Sequence, residues 1–155
     1  MQPEEAGECE SILRSLPDWF GIEESIVQYR RDIESMETVV ADRAQEILGF
    51  LTWRRHGPRS AEIQVLGVRA PWHRRGVGRS LVAEVERRLR GDSVELFQVK
   101  TLGPSRPDEA YARTRMFYES LGFVPLEENR LWGERIPCLI SVKHLTCTGR
   151  PLGAV

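Results

Sequence analysis

The sequence is poor in cysteine, in long apolar runs and in net charge. Its three cysteines, Cys9, Cys138 and Cys147, are widely separated and form no Cys-x-x-Cys or Cys/His pattern, which predicts reduced thiols in a cytoplasmic protein and no metal site. No apolar run approaches the length that spans a bilayer, and no export signal is evident. A formal net charge of -1 gives no overall attraction to nucleic acid or to anionic membranes, so neither partner is expected.

The composition that remains is typical of one globular domain. Hydrophobic residues make up 41% and charged residues 29% of the 155 positions, and this length suffices to bury a core. No repeat or linker divides the chain. We therefore expect a single domain over residues 1–155, with irregular tails at 1–8 and 146–155.

The spacing of apolar residues predicts an α/β order of elements. Helices are predicted over residues 9–15, 22–36, 77–91 and 108–121, the last capped by Asp108 and ended by Gly122. Strands are predicted over residues 37–42, 46–54, 61–69, 93–100, 123–129 and 138–145. The first three strands form an antiparallel meander, whereas the helix between the third and fourth makes those two parallel. His56 and His144 fall in a turn and at a strand end, and we assign them no role.

The third strand leads into the next helix through a basic loop, His73-Arg74-Arg75-Gly76-Val77-Gly78. Gly76 and Gly78 lack side chains where a ligand would approach the backbone, and the first N–H groups of the helix have no intrahelical acceptor. These donors and the nearby arginines favour an anion such as a diphosphate. An ordinary strand-to-helix turn with a solvated basic face would have the same local composition. The loop lacks the Lys-Ser/Thr pair of a Walker loop and the third glycine of a dinucleotide-binding loop.

This loop resembles the acyl-CoA pyrophosphate loop of the GNAT superfamily of N-acetyltransferases, Arg/Gln-x-x-Gly-x-Gly/Ala after a strand, with His73 in place of Arg/Gln. The resemblance implies an α/β fold with a mixed, mostly antiparallel sheet of about six strands flanked by helices. The opening strand of the family has no counterpart before Cys9. One sheet edge would then be exposed or covered by a partner chain, and a homodimer is one such arrangement.

The resemblance also implies acetyl-CoA as the cosubstrate. The residues assigned to its binding lie at the end of the third strand, in the loop and on the last helix: Leu66, Gly67, Val68, His73, Arg74, Arg75, Gly76, Val77, Gly78, Arg79, Ser80, Tyr111, Thr114 and Phe117.

Tyr118 matches a tyrosine that this family places beside the cofactor sulfur, in a helix that ends Phe-Tyr-x-x-x-Gly-Phe. Phe117 and Tyr118 would otherwise be an aromatic pair that packs a helix on a sheet. The position of Tyr118 after the glycine loop, with one strand between, favours the catalytic interpretation, in which its hydroxyl protonates the leaving thiolate.

Glu62 resembles the strand glutamate that serves as general base in some members of the family. The alternative is a structural strand carboxylate, since other members use water and backbone carbonyls. Alternation places Glu62, Gln64 and Leu66 on one face of the strand and Ile63 and Val65 on the other. A bulge near residues 66–68 would free a backbone N–H for the oxyanion.

The acceptor pocket of the family lies between the first helices and the last strands. This location makes Trp19, Phe20, Glu23, Gln64 and Trp132 candidates for substrate binding, although packing in the core would also explain Trp19 and Phe20. We expect transfer of an acetyl group from acetyl-CoA to the primary amine of a small molecule by direct attack, without a metal. Acetylation of a protein lysine or N-terminus, and a catalytically silent acyl-CoA-binding module, stay open.

Overall fold

A computed structural model describes residues 2–146, so Cys147 and the predicted tail from 147 onward lie outside the described residues. Four helices and six strands follow one another, with a short 3-10 turn at Ala70–Trp72. The helices are α1 (Pro3–Arg14), α2 (Glu23–Ser35), α3 (Val77–Gly91) and α4 (Glu109–Ser120). The strands are β1 (Glu37–Arg43), β2 (Glu46–Gly57), β3 (Ser60–Val68), β4 (Leu96–Leu102), β5 (Val124–Asn129) and β6 (Cys138–His144).

The strands form one mixed sheet in the order β1-β2-β3-β4-β6-β5. Only β3 and β4 pair in parallel, and every other neighbouring pair is antiparallel. The predicted fold class, the meander of β1, β2 and β3, and the parallel pair are confirmed. Within residues 2–146 no strand precedes α1, in agreement with the prediction that the opening strand is missing. β1 is therefore an edge of the sheet.

Helices cover both faces of the sheet and enclose two clusters of buried side chains. α3 and α4 cover one face, where Val85 and Leu89 of α3 pack with Phe97 and Phe123. α1 and α2 cover the other face over β2 and β3, where their apolar side chains pack against Phe50 and Val65. Within the part of the chain that the structure describes, no helix has the length and apolar character needed to cross a bilayer.

The irregular tail predicted at residues 1–8 is wrong, because α1 already begins at Pro3. A proline is well tolerated at the first helical position. The backbone N–H of Gln2 donates to Glu5 Oε2 at 2.9 Å, which satisfies one of the free donors at the helix start. Ala6 and Cys9 are buried on the same face. The apolar periodicity of this face appears in the sequence only when the first turn of α1 is included with the rest of the helix.

β4 begins at Leu96 and ends at Leu102, later than the predicted strand over 93–100. The chain first makes a turn after α3, in which Ser93 has a positive φ of 62° and the Val94 N–H donates to the Leu89 carbonyl oxygen at 2.9 Å. Thr101, predicted in a loop, belongs to this strand.

A bulge at Gln64 changes the predicted faces of β3. Thr52 of β2 opposes Val65 and the next residue, Trp53, opposes Ile63, so Gln64 is the extra residue. Ile63 and Leu66 therefore face α3 and α4, while Val65 faces α1. The prediction that Leu66 shares a face with Glu62 and Gln64 is wrong, and so is the prediction that Ile63 and Val65 share one. The bulge was predicted near residues 66–68, but it lies earlier in the strand, at Gln64.

Beyond the bulge, β3 and β4 separate. Their pairing ends at Ile63 and Val99. β3 continues along β2 as far as Val68, whereas β4 continues along β6 as far as Leu102. We call the space between residues 64–68 of β3 and residues 100–102 of β4 the wedge.

Candidate active site

The loop between β3 and α3 presents a row of unpaired backbone donors. The N–H groups of residues 74–79 make no hydrogen bond within residues 2–146, and the first bond of α3 runs from the Ser80 N–H to the Gly76 carbonyl oxygen at 2.9 Å. Arg74 and Gly76 have positive φ angles of 59° and 86°. Left-handed residues in such a turn direct successive N–H groups into one concavity that suits an anion.

The side chains of this loop differ in what they contact. Arg75 lies over the Trp72 ring, with its guanidinium carbon 5.7 Å from the ring centroid. Arg79 donates to Ser120 Oγ at 3.3 Å, and the Ser80 hydroxyl donates to the Gly76 carbonyl oxygen at 3.0 Å. Arg74, Arg75, Arg79 and Ser80 are exposed. They place positive charge around the free N–H groups.

The two glycines of the loop serve different purposes. No atom lies within 4 Å of a Cβ placed on Gly76, whose positive φ is the feature that favours glycine. A Cβ on Gly78 would lie 3.1 Å from Phe117 Cζ, so the missing side chain there lets α4 approach α3. The packing of Phe117 is thus a structural reason for glycine at position 78, beside the predicted approach of a ligand to the backbone. Gly67 similarly makes room for the Phe50 ring.

The end of β3 directs main-chain groups into the wedge. The Arg69 N–H donates to the Leu48 carbonyl oxygen of β2, at 2.8 Å. Because backbone groups alternate along a strand, Gly67 also faces β2, and the N–H and C=O groups of Leu66 and Val68 face the wedge. The Val68 carbonyl oxygen accepts a hydrogen bond from His73 Nε2 at 2.6 Å. His73 thus contacts the strand rather than the anion cradle.

Tyr118 lies on the α4 side of the wedge and is only 6% exposed. Its ring packs edge-on against Phe117 and Phe123, with centroids 5.1 and 5.5 Å away. Its hydroxyl makes no hydrogen bond within the described residues. Burial, with a smaller contribution from Tyr111, raises the pKa of the Tyr118 phenol well above its ordinary value. The phenol is therefore protonated at neutral pH and can only donate a proton.

Trp19, in the loop between α1 and α2, crosses the mouth of the wedge. Its Nε1 donates to Thr114 Oγ1 and its carbonyl oxygen accepts from the Tyr111 hydroxyl, both at 2.9 Å. Its ring also meets the His73 ring edge-on at 5.7 Å. Trp19, a predicted acceptor-binding residue, thus contacts three predicted cofactor-binding residues, Thr114, Tyr111 and His73.

Two surface cavities lie outside the wedge. One of about 180 Å³ is lined by Arg79, Glu86 and Lys143 between α3, α4 and β6. The other, of about 280 Å³, is lined by Asp18 and the first turn of α4.

Glu62 is 4% exposed and surrounded by donors. Lys100 Nζ lies 3.0 Å from Oε1, while Gln98 Nε2 and Arg54 Nη2 lie 3.1 and 3.3 Å from Oε2, which His56 Nε2 also contacts. Burial alone would raise the pKa of Glu62, but the bonds from Lys100, His56 and Gln98 outweigh it and hold the pKa below its ordinary value. The prediction that His56 lies in a turn without a role is wrong, because it lies in β2 and contacts this carboxylate.

A second buried carboxylate, Asp32 of α2, is absent from the sequence-based prediction. It is 4% exposed, and its two oxygens accept from Gln28 Nε2 and Gln64 Nε2, each at 2.8 Å. Among residues 2–146 it forms no ion pair within 4 Å. Its position beside Ile33, three residues after Tyr29, is the signal that could have placed it on the buried face.

Three tyrosines form a series across the wedge: Tyr29 on α2, then Tyr111 and Tyr118 on α4. Burial raises the pKa of Tyr29, and the nearby Asp32 carboxylate adds to this effect. Burial, then Tyr29 and Asp108, raise the pKa of Tyr111 to about 12. Tyr111 in turn acts on Tyr118. Each group in the series Asp32, Tyr29, Tyr111 and Tyr118 therefore lies within electrostatic range of the next.

The other predicted acceptor residues are placed unevenly. Phe20 packs edge-on against Tyr29 at 5.8 Å, beside the wedge. Glu23 instead pairs with Arg14 at 2.7 Å on the outer surface, which lowers the pKa of the glutamate. Trp132 is 42% exposed between β5 and β6, and no described contact links it to the wedge. Trp19 and Phe20 both pack against the core cluster under α1 and α2, and Gln64 contacts Asp32 of α2, whereas Glu23 and Trp132 make no described contact with this group.

Solved structures with this fold include several acetyltransferases. A protein from Desulfovibrio desulfuricans described as a GNAT-family acetyltransferase has a TM-score of 0.83 at 18% identity, over 94% of this chain and 95% of that one. The ribosomal-protein-S18-alanine N-acetyltransferase from Escherichia coli has a TM-score of 0.76 at 16% identity, over 98% and 95%. An aminoglycoside 6'-N-acetyltransferase complexed with coenzyme A has a TM-score of 0.74 at 18% identity, over 97% and 94%.

At these identities the structures show a shared fold, and a comparison with curated protein sequences finds no match. The sequence itself supplies the further evidence. A family model described as an acetyltransferase (GNAT) domain matches residues 34–125, which is more than half of the chain. The matched segment contains Glu62, the glycine loop and Tyr118. The chain therefore belongs to the GNAT family of acetyltransferases.

Proposed function

We propose that this chain is an acetyl-CoA-dependent N-acetyltransferase that acetylates a primary amine of a small molecule. The observation that carries the proposal is the row of unpaired N–H groups at residues 74–79, at one end of a wedge whose wall holds Tyr118. A diphosphate fits such donors. Family membership, and the coenzyme A bound in the related aminoglycoside enzyme, support acetyl-CoA as the cosubstrate.

The residues present fit this cosubstrate in the loop but require a movement at the wedge. The N–H groups of residues 74–79, with Arg74, Arg75 and Arg79 around them, would hold the diphosphate. The main-chain groups of Leu66 and Val68 would hold the arm that bears the thioester. Trp19 would have to leave Thr114 and His73, because these contacts now close the mouth of the wedge.

The reaction forms a C–N bond and breaks the C–S bond of a thioester, and two protons must move. An alkyl ammonium with a pKa of about 10.4 must lose one proton, which costs about 4–5 kcal/mol at neutral pH. Glu62, ionised at neutral pH, would accept this proton through water. Tyr118 would donate a proton to the thiolate and would regain one from the nitrogen, which loses its second proton after the C–N bond forms. The Leu66 or Val68 N–H would stabilise the oxyanion.

A small acceptor needs a narrower opening past Trp19 and Tyr111, on the side of α1 and α2, than a lysine on a folded protein does. This difference favours the small acceptor. The described cysteines, Cys9 and Cys138, are buried free thiols, which supports a cytoplasmic location.

Tyr118→Phe tests the proposal, because it removes the proton donor and keeps the packing of the ring. We expect kcat for thiol release from acetyl-CoA, over a panel of amines, to fall at least about 100-fold. Calorimetric affinity for coenzyme A should stay within about twofold of wild type. Wild-type protein that binds coenzyme A but releases no thiol with any amine would identify a silent binding module and overturn the proposal.

A further inference from the structure

Asp32 is a buried carboxylate without a cationic partner. Both of its hydrogen bonds come from neutral amides, Gln28 and Gln64. The other buried carboxylates are arranged differently: Glu62 contacts Lys100, and Glu86 contacts Lys143 and Arg90. Carboxylates this far from water are ordinarily compensated by a positive charge. Within residues 2–146 the chain therefore supplies Asp32 with amide donors but with no compensating cation.

The location of Asp32 connects this charge to the wedge. Gln64, which holds one of its oxygens, is the bulged residue at which β3 and β4 begin to separate. Tyr29, three residues before Asp32 on α2, packs edge-on against Phe20 of the loop that carries Trp19. An amine that reaches the wedge from the side of α1 and α2 would thus pass Asp32.

Asp32 is unsuited to bind the amine that reacts. A carboxylate in contact with the reacting ammonium would keep it protonated and suppress its attack. Glu62 lies two positions before Gln64, a strand distance of about 6–7 Å. A molecule with two amino groups separated by a short chain could place one group near Glu62 and the other at Asp32.

We propose that Asp32, oriented by Gln64, binds a second cationic group of the acceptor, so that the substrates are diamines, polyamines or amino sugars with more than one amino group. This inference rests on the proposed function and specifies its substrate class. Each oxygen of Asp32 accepts one hydrogen bond from an amide and keeps a second lone pair for an ammonium donor.

The first test compares 1,4-diaminobutane with butylamine, which matches it in chain length but lacks the second charge. We expect wild type to acetylate the diamine with a kcat/KM at least about 10-fold higher. In Asp32→Asn this ratio should fall to near one, a loss in the range of about 10- to 100-fold for one charge-assisted hydrogen bond. Asp42→Asn, an exposed aspartate at the far edge strand β1, is the matched control and should keep the wild-type ratio.

A wild-type ratio near one, with measurable transfer to butylamine, would overturn the inference and leave the proposed function intact. If no amine is acetylated, calorimetry of 1,4-diaminobutane on the protein loaded with coenzyme A decides: no heat overturns the inference, and heat that is lost in Asp32→Asn supports it. Gln64→Lys covers the case in which Asp32→Asn fails to fold. Its tethered ammonium should occupy Asp32 and abolish the preference for the diamine, and a retained preference would overturn the inference.

Discussion

Replacement of Lys100 by Met should destabilise the protein in a pH-dependent way, because it removes the nearest cation of the buried Glu62. The Nζ–Oε1 distance is 3.0 Å, and the two side chains are 17% and 5% exposed. At an effective dielectric constant of about 20 the direct attraction is roughly 5 kcal/mol. Arg54 and His56 still contact the carboxylate, and Met is cheaper to bury than Lys. We therefore expect a net loss of about 2 kcal/mol at pH 7.

The pH dependence follows from the lowered pKa of Glu62. Stabilisation by a carboxylate whose pKa is lowered on folding is fully present above its unfolded value of about 4.3 and is lost as the pH falls through the folded value. The difference between wild type and Lys100→Met should therefore shrink below about pH 4. Urea unfolding measures it, with a shift in midpoint of about 1 M at pH 7. Arg59→Met, at an exposed ion pair with Glu95, should cost less than about 0.5 kcal/mol. A loss that stays as large at about pH 2.5 as at pH 7 would show that Lys100 acts through packing, and would refute the reasoning.

Two further predictions concern cosubstrate binding. Gly76→Ala, at a positive φ of 86° with no atom near its Cβ, should destabilise the loop by about 1 kcal/mol and weaken coenzyme A binding in calorimetry several-fold. Gly91→Ala, at a helix end with equal space but no positive φ, is its control, and equal effects in both variants would count against the loop. Trp19→Phe removes the bond to Thr114 that closes the wedge and should tighten coenzyme A binding about 2- to 10-fold. Weaker binding in this variant would mean that Trp19 forms a wall of the open site.

The sequence predicted those parts of the fold that depend on local signals. Asp108 caps α4 by accepting the Tyr111 N–H at 2.9 Å, and Gly122 ends that helix region with a φ of 91°. Both features are set by a few neighbouring residues. The bulge at Gln64 depends instead on the register between β2 and β3, which alternation within one strand cannot determine.

The candidate site divides in the same way. The glycine loop and Tyr118 could be located because they carry a recognisable pattern in consecutive residues. Asp32 and His56 could not, because their importance arises from residues that only the fold brings near: Gln64 for Asp32 and Glu62 for His56. The contact of Trp19 with Thr114 joins α4 to the first loop of the chain, far apart in sequence. Periodicity gives no information on such a contact.

The central claim is that the main-chain N–H groups of residues 74–79 bind the diphosphate of acetyl-CoA. An amide NMR titration with coenzyme A tests it most directly, because each N–H of the loop is observed separately. We predict that the Gly76, Val77, Gly78 and Arg79 resonances shift most and that pantetheine, which lacks the diphosphate, leaves them in place. Saturable binding of coenzyme A that leaves these four resonances unmoved would contradict the claim.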